Sequence, residues 1–463
     1  MQIINFRQLA TRSALLLSLG LAVGACDKAV NVQPSNSIGA ETGYSTKEDA
    51  AAGLLGCYDA LQNVDYDGVG FPSTVDLLAR EIREVGTYNT TFGLINQNQT
   101  LPDNVQVGNT WNAIYTAINR TNYLLQQSDK ITDPAFPKLD TQAQARALRA
   151  YSYMNLLALW GGSTQGYGYT DGLGVPLRLT PTTSIGSETA PVARSSEAEV
   201  ATAIREDLDF AIANLTDGDG TTSLVTKSAA LALRARFELR MRNYADALAF
   251  AKQVPPIAGF ATAAATGVTS PDAIWQLEFS NTDQNLFAFY WYPSPGGRNE
   301  FDPGTGFAAA HPAGDRRLPV NVATSPTGTT LKYTRTATRD DPFNIVRYAE
   351  VVLTLAETAA QTGDLTTAAT QLDIIRTRAG LAPTTATTAA DLITDILLQR
   401  RLEFAYEGNY WFDLRRTNTV QSTLGATAPA AANAWNQPFR NLFPIPLREV
   451  NITNGLVAQN PQY

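Results

Sequence analysis

Acidic and basic side chains concentrate near residue 400, in the stretch with the clearest potential for chemistry. Paired carboxylates are what a glycoside hydrolase uses, one as an acid and the other as a nucleophile or base. On a helix, however, Glu403 lies three residues from Arg400 and four from Glu407, so cations flank the acids. Arginine neighbours keep a carboxylate ionised, and we therefore predict a structural ion-pair network with no catalytic residue. The expected members are Glu403, Glu407, Asp413, Arg400, Arg401, Arg415 and Arg416.

Other reactive residue types are scarce. The sequence has one histidine and two cysteines, which argues against a catalytic triad or a disulfide framework. His311 has Asp315 four residues away, but no serine or cysteine nucleophile motif accompanies it. Asp340 and Asp341 could contact calcium, although adjacent acids in a loop are more often just solvated. The prediction is a protein that is not an enzyme and has no metal site and no cofactor.

Two irregular stretches combine aromatic rings with planar polar groups, a combination that suits sugars. The C–H faces of sugar rings stack on aromatic side chains, while the hydroxyls pair with amides, carboxylates and guanidinium groups. The alternative is that Trp291 forms the core of its own loop, but prolines and glycines at 293–297 favour a position near the surface. The predicted ligand-binding residues are Tyr88, Asn89, Phe92, Tyr290, Trp291, Tyr292, Arg298 and Asn299.

The first 25 residues have the pattern of a secretory signal and are set apart from the fold. Two arginines precede an apolar run from Ala14 to Val23, which is too short to cross a bilayer. Small residues then lead to Cys26, as at a bacterial lipoprotein processing site, so we predict a lipid anchor such as palmitate on Cys26. An ordinary secretory signal with a chance cysteine is the alternative.

The remaining chain is acidic. Removal of residues 1–25 leaves 33 basic and 43 acidic side chains, hence a net charge of −10. Such a body has no electrostatic attraction for anionic lipid, and no run of Lys and Arg indicates nucleic-acid binding. Membrane attachment is therefore expected to depend on the acyl group, through a polar tether over residues 26–44.

These candidate residues need helices to position them. Ala145–Gly162 predicts a helix that is one-sided at its start and apolar all round at its end, as expected for a helix that enters a core. Trp111–Gln127 predicts the helix before it, and the two are expected to form an antiparallel hairpin. Capping boxes at Ser45–Glu48 and Ser196–Glu199 predict two further helix starts. Cys57, in the first of these helices, is expected to be a small buried hydrophobe.

An internal repeat follows. Helices predicted at 228–240 and 244–254 resemble those at 346–361 and 365–378, with a turn between the members of each pair. Ala235 and Ala247 lie twelve residues apart, as do Ala356 and Ala368. Small residues at such spacing let two helices approach closely, as in tetratricopeptide units. The alternative is two unrelated helical hairpins.

The rest of the chain is less regular. The sequence predicts a loop at 65–72, a helix at 76–85, a loop at 88–107, a short strand at 274–279, a last helix at 392–407, and a tail from Leu442 without a helical period. Ile257–Arg339 is too long for a mere connection. We predict an N-terminal helical part at 45–256 and a C-terminal part at 257–463, with a loop-rich insert at 257–339.

Several short motifs, in order, resemble the SusD/RagB family of outer-membrane nutrient-binding lipoproteins. The resemblance covers nearly all of the chain after residue 25. Its motifs are Trp111-Asn112-x2-Tyr115-x2-Ile118-Asn119-x2-Asn122, Trp160-Gly161-Gly162, Val175-Pro176-Leu177, Val346-Arg347-Tyr348-Ala349-Glu350, Ile375-Arg376-x-Arg378-Ala379-Gly380-Leu381, Arg400-Arg401-x-Glu403-x3-Glu407-Gly408-x2-Trp411-Phe412-Asp413-Leu414-Arg415-Arg416 and Phe443-Pro444-Ile445-Pro446 with Gln459-Asn460-Pro461-x-Tyr463.

The resemblance implies a mostly α-helical fold of tetratricopeptide-like hairpins with a loop-rich ligand-binding face. It also implies a lipid-anchored protein, exposed on the cell outer membrane, that captures a glycan and delivers it to a SusC-like TonB-dependent transporter. A peptide-binding RagB-like receptor, a tetratricopeptide-type scaffold and a glycoside hydrolase are the alternatives. The chain departs from the family in Gln462, where glycine is usual, and in lacking an acidic run after Cys26, which leaves the membrane leaflet open.

Overall fold

The structure is a computed structural model that describes residues 44–184, 186–218, 220–262, 271–425 and 434–463. The predicted signal segment and Cys26 lie outside the described residues. In the first half, the elements are α1 (Lys47–Leu61), α2 (Gly70–Leu78), β1 (Ile82–Glu84), α3 (Phe92–Asn96), α4 (Val105–Ser128), α5 (Lys138–Trp160), α6 (Glu197–Asn214), α7 (Lys227–Arg240) and α8 (Tyr244–Ala251).

The second half mixes short strands with further helices. Its elements are β2 (Ala273–Leu277), α9 (Phe287–Trp291), β3 (Phe301–Pro303), α10 (Leu318–Asn321), β4 (Ala323–Thr324), β5 (Thr327–Thr329), β6 (Phe343–Arg347), α11 (Tyr348–Thr362), α12 (Leu365–Arg378), α13 (Ala389–Glu403), α14 (Tyr410–Arg416), α15 (Val420–Thr423) and α16 (Leu447–Ile452). The fold is thus mostly helical, as predicted.

The long helices form one continuous packed series. Helix α1 covers α4, α4 packs on α5, α5 on α6, α6 on α7, α7 on α8, α8 on α11, and α11 on α12. Because each helix contacts its neighbour in this order, the amphipathic stripe of one element is buried by the next. The expected hairpin of α4 with α5 and the two helix pairs of the repeat are all present.

Helix α5 lies at the centre of the main core. Its side chains are buried on every side from Leu148 to Trp160, as predicted. Gly162, with φ of +82°, takes the left-handed conformation that lets the chain turn away after the helix. In the two helix pairs of the repeat, Ala235, Ala247, Ala356 and Ala368 are all buried, as their predicted place at helix–helix contacts requires.

Residues that are distant in sequence form hydrogen bonds with the C-terminal end of α5. The Trp160 indole Nε1 donates to the Pro444 carbonyl at 3.0 Å, across 284 residues of sequence. Asn460 Nδ2 donates to the Trp160 carbonyl at 3.0 Å and to the Phe443 carbonyl at 2.6 Å. Arg194 also donates to the Trp160 carbonyl, at 3.1 Å. We call residues 443–460 the C-terminal clasp.

Several predicted boundaries were wrong. The first capping box uses Thr46 and Asp49 instead of Ser45 and Glu48, because the Asp49 carboxylate accepts the backbone N–H groups of both Ser45 and Thr46. Helix α2 begins at Gly70 and takes the last three residues of the predicted loop at 65–72, since Pro72 lies in its first turn, where the missing N–H costs no hydrogen bond.

The predicted helix at 76–85 is shorter than expected at its C-terminal end. The chain leaves α2 at Arg80, whose φ is +59°, and continues as β1. Part of the predicted loop at 88–107 folds as α3, and α4 begins at Val105. The tail contains α16, whose six residues are too few to show a helical period in sequence. The division of the chain at residue 256 stays a prediction.

Candidate functional site

The predicted ion-pair network exists, and its centre is Glu403. This buried carboxylate contacts three arginines, with Arg347 Nη1 at 3.1 Å, Arg317 Nη1 at 3.4 Å and Arg378 Nη1 at 3.5 Å. Burial alone would raise the pKa of Glu403, but these cations outweigh it and lower the pKa to about 2. A group with that pKa has no proton to give near neutral pH, so Glu403 is unsuited to be the acid of a glycoside hydrolase.

The neighbouring acids are held in the same way. Glu407 pairs with Lys332 Nζ at 2.6 Å and with Arg347 Nε at 2.9 Å. Asp413 pairs with the Nε atoms of Arg400 and Arg416, each at 2.8 Å, which overcome its burial and lower its pKa. The partners of Glu403 come from other elements, whereas the sequence pointed to arginines on its own helix.

Arg415 has a different role from the one predicted. Its guanidinium donates to backbone carbonyls at the end of α5, at 2.9 Å for Ala158 and 2.7 Å for Ser163. It therefore holds the turn after α5 and does not pair with Glu403, Glu407 or Asp413. Arg401 pairs with the buried Glu81 at 2.8 Å.

His311 and Asp341 are also tied into the fold. The His311 ring lies 3.2 Å from the Phe307 carbonyl and 3.1 Å from Asn321 Nδ2, and burial lowers the pKa of the imidazole. The Asp341 carboxylate accepts the backbone N–H groups of Thr334 and Arg335, at 3.0 Å each. Within the described ranges, no group of three or more His, Cys, Asp or Glu side chains is placed to hold a metal ion.

The two predicted ligand-binding stretches meet through backbone pairing. Strands β1 and β3 are antiparallel, with Glu84 opposite Phe301, and the Val85 N–H donates to the Glu300 carbonyl at 2.9 Å. Because β1 leads directly into the stretch from Tyr88 and β3 directly follows Asn299, the pairing brings both loops to one place. The sequence showed both loops but not the strand pair that joins them.

A cluster of aromatic rings supports this junction. Tyr88, Phe92 and Tyr290 contact one another at centroid distances of 5.7, 5.8 and 6.3 Å. Phe301 completes the cluster, at 5.3 Å from Phe92 and 5.4 Å from Tyr290. Phe92 and Phe301 are buried, whereas Tyr88 is only half-buried. The ring of Tyr88 is thus the edge of the cluster that a ligand could reach.

Arg298, from the other loop, contacts the Tyr88 ring on one side. Its guanidinium lies 4.7 Å from the Tyr88 ring centroid, and its Nη1 donates to the Tyr88 hydroxyl at 3.0 Å. Buried Glu300 orients it through a 2.6 Å ion pair with Nε. The Glu300 carboxylate also accepts the Thr87 N–H at 2.8 Å. Glu300 therefore positions both loops: it fixes the backbone of the first at Thr87 and the guanidinium of Arg298 in the second.

Part of the predicted ligand-binding set is buried, contrary to the expected position near the surface. Trp291 is only 2% exposed and Tyr290 only 7%, because α9 turns both rings toward the core, where Trp291 lies 4.6 Å from the Tyr406 ring. Phe92, at 3% exposed, is likewise covered. Tyr292 is half-buried, and its hydroxyl donates to the Thr330 carbonyl at 3.1 Å. The alternative of a loop core was the right one for Trp291.

The other predicted residues remain accessible. Asn89 and Arg298 are exposed, and Tyr88 and Asn299 are partly exposed. We call these four residues the loop surface. Sequence reasoning missed Thr87 and Glu300, whose contacts position the loop surface. Glu300 could have been found because it directly follows the predicted residues Arg298 and Asn299. Sequence reasoning also missed Phe289, which is half-buried with the Arg339 guanidinium 4.1 Å from its ring centroid.

Comparison with known proteins supplies the context for this surface. A model described as the SusD family matches residues 318–463, and one described as starch-binding associating with outer membrane matches residues 78–239. The SusD-like protein P38 of Formosa agariphila is 26% identical over 97% of this chain and 99% of its own length. SusD-like protein P2 of the same organism is 24% identical over 97% of this chain and 98% of its own.

Solved structures share the fold. A SusD superfamily protein from Bacteroides thetaiotaomicron superposes with a TM-score of 0.76 at 20% identity, over 90% of this chain and 100% of that one. A laminarin-binding SusD-like protein superposes with a TM-score of 0.72 at 21% identity, over 91% and 100%. Among the described residues, no helix is both long and apolar enough to cross a membrane. The two family models and the relatives that match along the whole chain lead to one conclusion: the chain belongs to the SusD family.

Proposed function

We propose that this protein is a cell-surface receptor that captures a glycan on the loop surface and delivers it to a SusC-like TonB-dependent transporter. The observation that carries the proposal is the pairing of Tyr88 with Arg298 on a buried aromatic base. A stacking face beside a guanidinium and two amides, from Asn89 and Asn299, offers what a sugar ring and its hydroxyls require.

The support beneath the loop surface favours binding without large rearrangement. Tyr88 rests on the buried Phe92 and Tyr290, and Arg298 is fixed by Glu300 at 2.6 Å. A side chain that is already held in place loses less conformational freedom when ligand binds, so more of the contact energy appears as affinity. The mechanism is recognition alone: the carboxylates near Glu403 are held by cations, and no bond is broken in the ligand.

Membrane attachment in this proposal depends on the lipid at Cys26. The family description of association with the outer membrane agrees with such an anchor. The helical series from α1 to α12 would then provide the rigid body that docks on the transporter, while the loops vary with the ligand. Affinity purification of the tagged protein from outer membranes should recover a TonB-dependent receptor, and repeated failure to recover one contradicts the partnership.

The ligand is tested with laminarin, which a solved structural relative binds, together with a glycan array. We expect Tyr88→Ala and Arg298→Ala each to weaken binding of the captured glycan by at least about 1 kcal/mol, as for a residue central to an interface. Tyr88→Ala should keep the melting temperature of the parent protein, because its ring is only half-buried, whereas Arg298→Ala also removes the cation from buried Glu300 and should lower it.

A matched control exists on the same chain. Tyr169 is a half-buried tyrosine with the Arg242 guanidinium 4.1 Å from its ring centroid, so Tyr169→Ala removes an equivalent cation–aromatic pair elsewhere. It should leave glycan binding unchanged. Equal loss in the control and in Tyr88→Ala would place the binding site elsewhere, and binding of peptides instead of any glycan would favour the RagB-like receptor.

A further inference from the structure

A second candidate site is a cleft of about 420 Å³ that is separate from the loop surface. It lies between α4, residues 176–182 with Val192, and the region of α16. Its lining includes the motif Trp111-Asn112-x2-Tyr115-x2-Ile118-Asn119-x2-Asn122 of α4, which takes no part in the loop surface. Its volume falls within the range of small-molecule sites, which is roughly 300–1,000 Å³.

One wall of the cleft is aromatic and fixed. Trp111 and Tyr115 contact each other at 4.9 Å, and Trp111 packs edge-on against Trp160 at 5.2 Å. Trp111 is only 2% exposed, whereas Tyr115 is half-buried. The Tyr115 hydroxyl donates to the Pro176 carbonyl at 2.9 Å, which sets the orientation of the ring. Tyr115 therefore presents a held apolar face to the cleft.

Two asparagines of the motif hold the segment that forms the opposite side of the cleft. Asn119 exchanges two hydrogen bonds with the backbone of Thr182, donating at 3.2 Å and accepting at 2.7 Å. Asn122 Nδ2 donates to the Arg178 carbonyl at 2.8 Å. These bonds hold the segment at 176–182 against α4, so the cleft keeps its shape without a ligand.

Other polar groups in the cleft are uncommitted. Glu449 is half-buried in the lining of the cleft, and its carboxylate accepts no hydrogen bond from the described part of the chain. Burial raises the pKa of Glu449, while Arg448 and Arg178 act against this rise. The Asn112 side chain is exposed at the rim and makes no hydrogen bond within the described ranges. The Arg178 guanidinium, by contrast, is partly committed, because Nη1 donates to the Glu188 carbonyl at 3.3 Å and Nη2 to the Ala190 carbonyl at 2.9 Å.

These groups define the chemistry of an occupant. One carboxylate and one guanidinium leave the cleft close to neutral, which disfavours a ligand with net charge. A fixed tyrosine face beside a carboxylate and an amide matches a ring that has C–H faces and neighbouring hydroxyl donors. We infer that this cleft is a second binding site, for a neutral mono- or disaccharide, with Tyr115 as the stacking face and Glu449 as the hydroxyl acceptor.

The test uses the full mature chain and named sugars: glucose, galactose, mannose, maltose, lactose and laminaribiose. Saturation-transfer NMR and calorimetry should show one-to-one binding of at least one of them to the parent protein. Glu449→Gln should weaken that binding about tenfold or more, because a hydrogen bond to a charged acceptor is worth roughly 1.5–3 kcal/mol. Glu206→Gln, at an exposed glutamate on α6, is the charge-matched control and should bind as the parent does.

Two further variants make the outcome decisive. Asn112→Trp, at an exposed rim position, should fill the mouth of the cleft and abolish binding without disturbing the fold. Arg298→Ala, on the loop surface, should leave binding in the cleft unchanged, so failure of the proposed function is distinguishable from failure of this site. Unchanged affinity in Asn112→Trp, or no saturable binding of any of the six sugars to the parent protein, would overturn the inference.

Discussion

At the scale of single residues, Glu403 is more informative about stability than about catalysis. Removal of one member of a buried ion-pair group leaves uncompensated charge in a poorly solvated site. Glu403→Gln leaves Arg347, Arg317 and Arg378 without this shared carboxylate, and we expect it to lower the free energy of unfolding by about 3–5 kcal/mol. Urea unfolding at pH 7 measures this loss, with Glu206→Gln as an exposed control.

The lowered pKa of Glu403 also predicts how the stability of the protein changes with pH. The pKa of Glu403 is lowered from 4.5 to about 2 in the folded protein, so its contribution is fully present above pH 4.5 and is lost as the pH falls toward 2. The contribution is on the order of 3 kcal/mol, since each pKa unit corresponds to roughly 1.4 kcal/mol. The stability gap between the parent protein and Glu403→Gln should therefore narrow at pH 3, and a constant gap would contradict this assignment.

Trp291 illustrates how local sequence can mislead about exposure. The prolines and glycines at 293–297 do mark a surface turn, but the triplet before them lies on α9, whose inner face packs against Tyr406 and Phe301. We expect Trp291→Ala to cost about 3–5 kcal/mol of stability, as for a buried aromatic residue. Thermal unfolding should show a clear drop for Trp291→Ala and little change for Tyr88→Ala; equal melting temperatures would mean that Trp291 is not part of the core.

At the scale of elements, close helix contacts depend on small side chains. Ala235 and Ala247 lie on the packed pair α7 and α8, and Ala356 and Ala368 on the pair α11 and α12. Replacement of any one by Leu should overpack the contact and cost about 1–3 kcal/mol. Ala249→Leu, at an exposed position of α8, is the matched control and should be nearly neutral in chemical unfolding.

Helices with a long hydrophobic period could be predicted from the sequence, and short elements could not. Helices α4, α5, α7 and α11 have enough turns for their apolar stripes to be visible. The positions of α2 and α16 depend instead on distant backbone bonds, such as Leu286 N–H to the Gly68 carbonyl at 3.1 Å and Leu447 N–H to the Pro102 carbonyl at 2.7 Å. Such pairings leave no local pattern, and the meeting of the two ligand loops depends on the same kind of contact.

At the scale of the whole molecule, a single cysteine is expected to decide where the protein resides. Cys26→Ala should release the protein from outer-membrane fractions of cells that lack the transporter, because an acidic body has no other attraction to lipid. Cys57→Ala is the control, since Cys57 is buried in α1 and is not available for acylation. Cell fractionation with immunoblotting gives the answer, and continued full membrane association of Cys26→Ala would contradict the anchor.

The C-terminal clasp also has a consequence for the order of folding. The C-terminal end of α5 leaves the ribosome long before all of its partners exist, because the bonds from Trp160 to Pro444 and from Asn460 to Trp160 span 284 and 300 residues. Contacts over such separations form late, since a long loop must close first. Helices α4 and α6 can pack on most of α5 before residues 443–460 are made, but the Trp160 end of α5 is completed only by the clasp. The clasp is therefore expected to be among the last contacts of the fold to form.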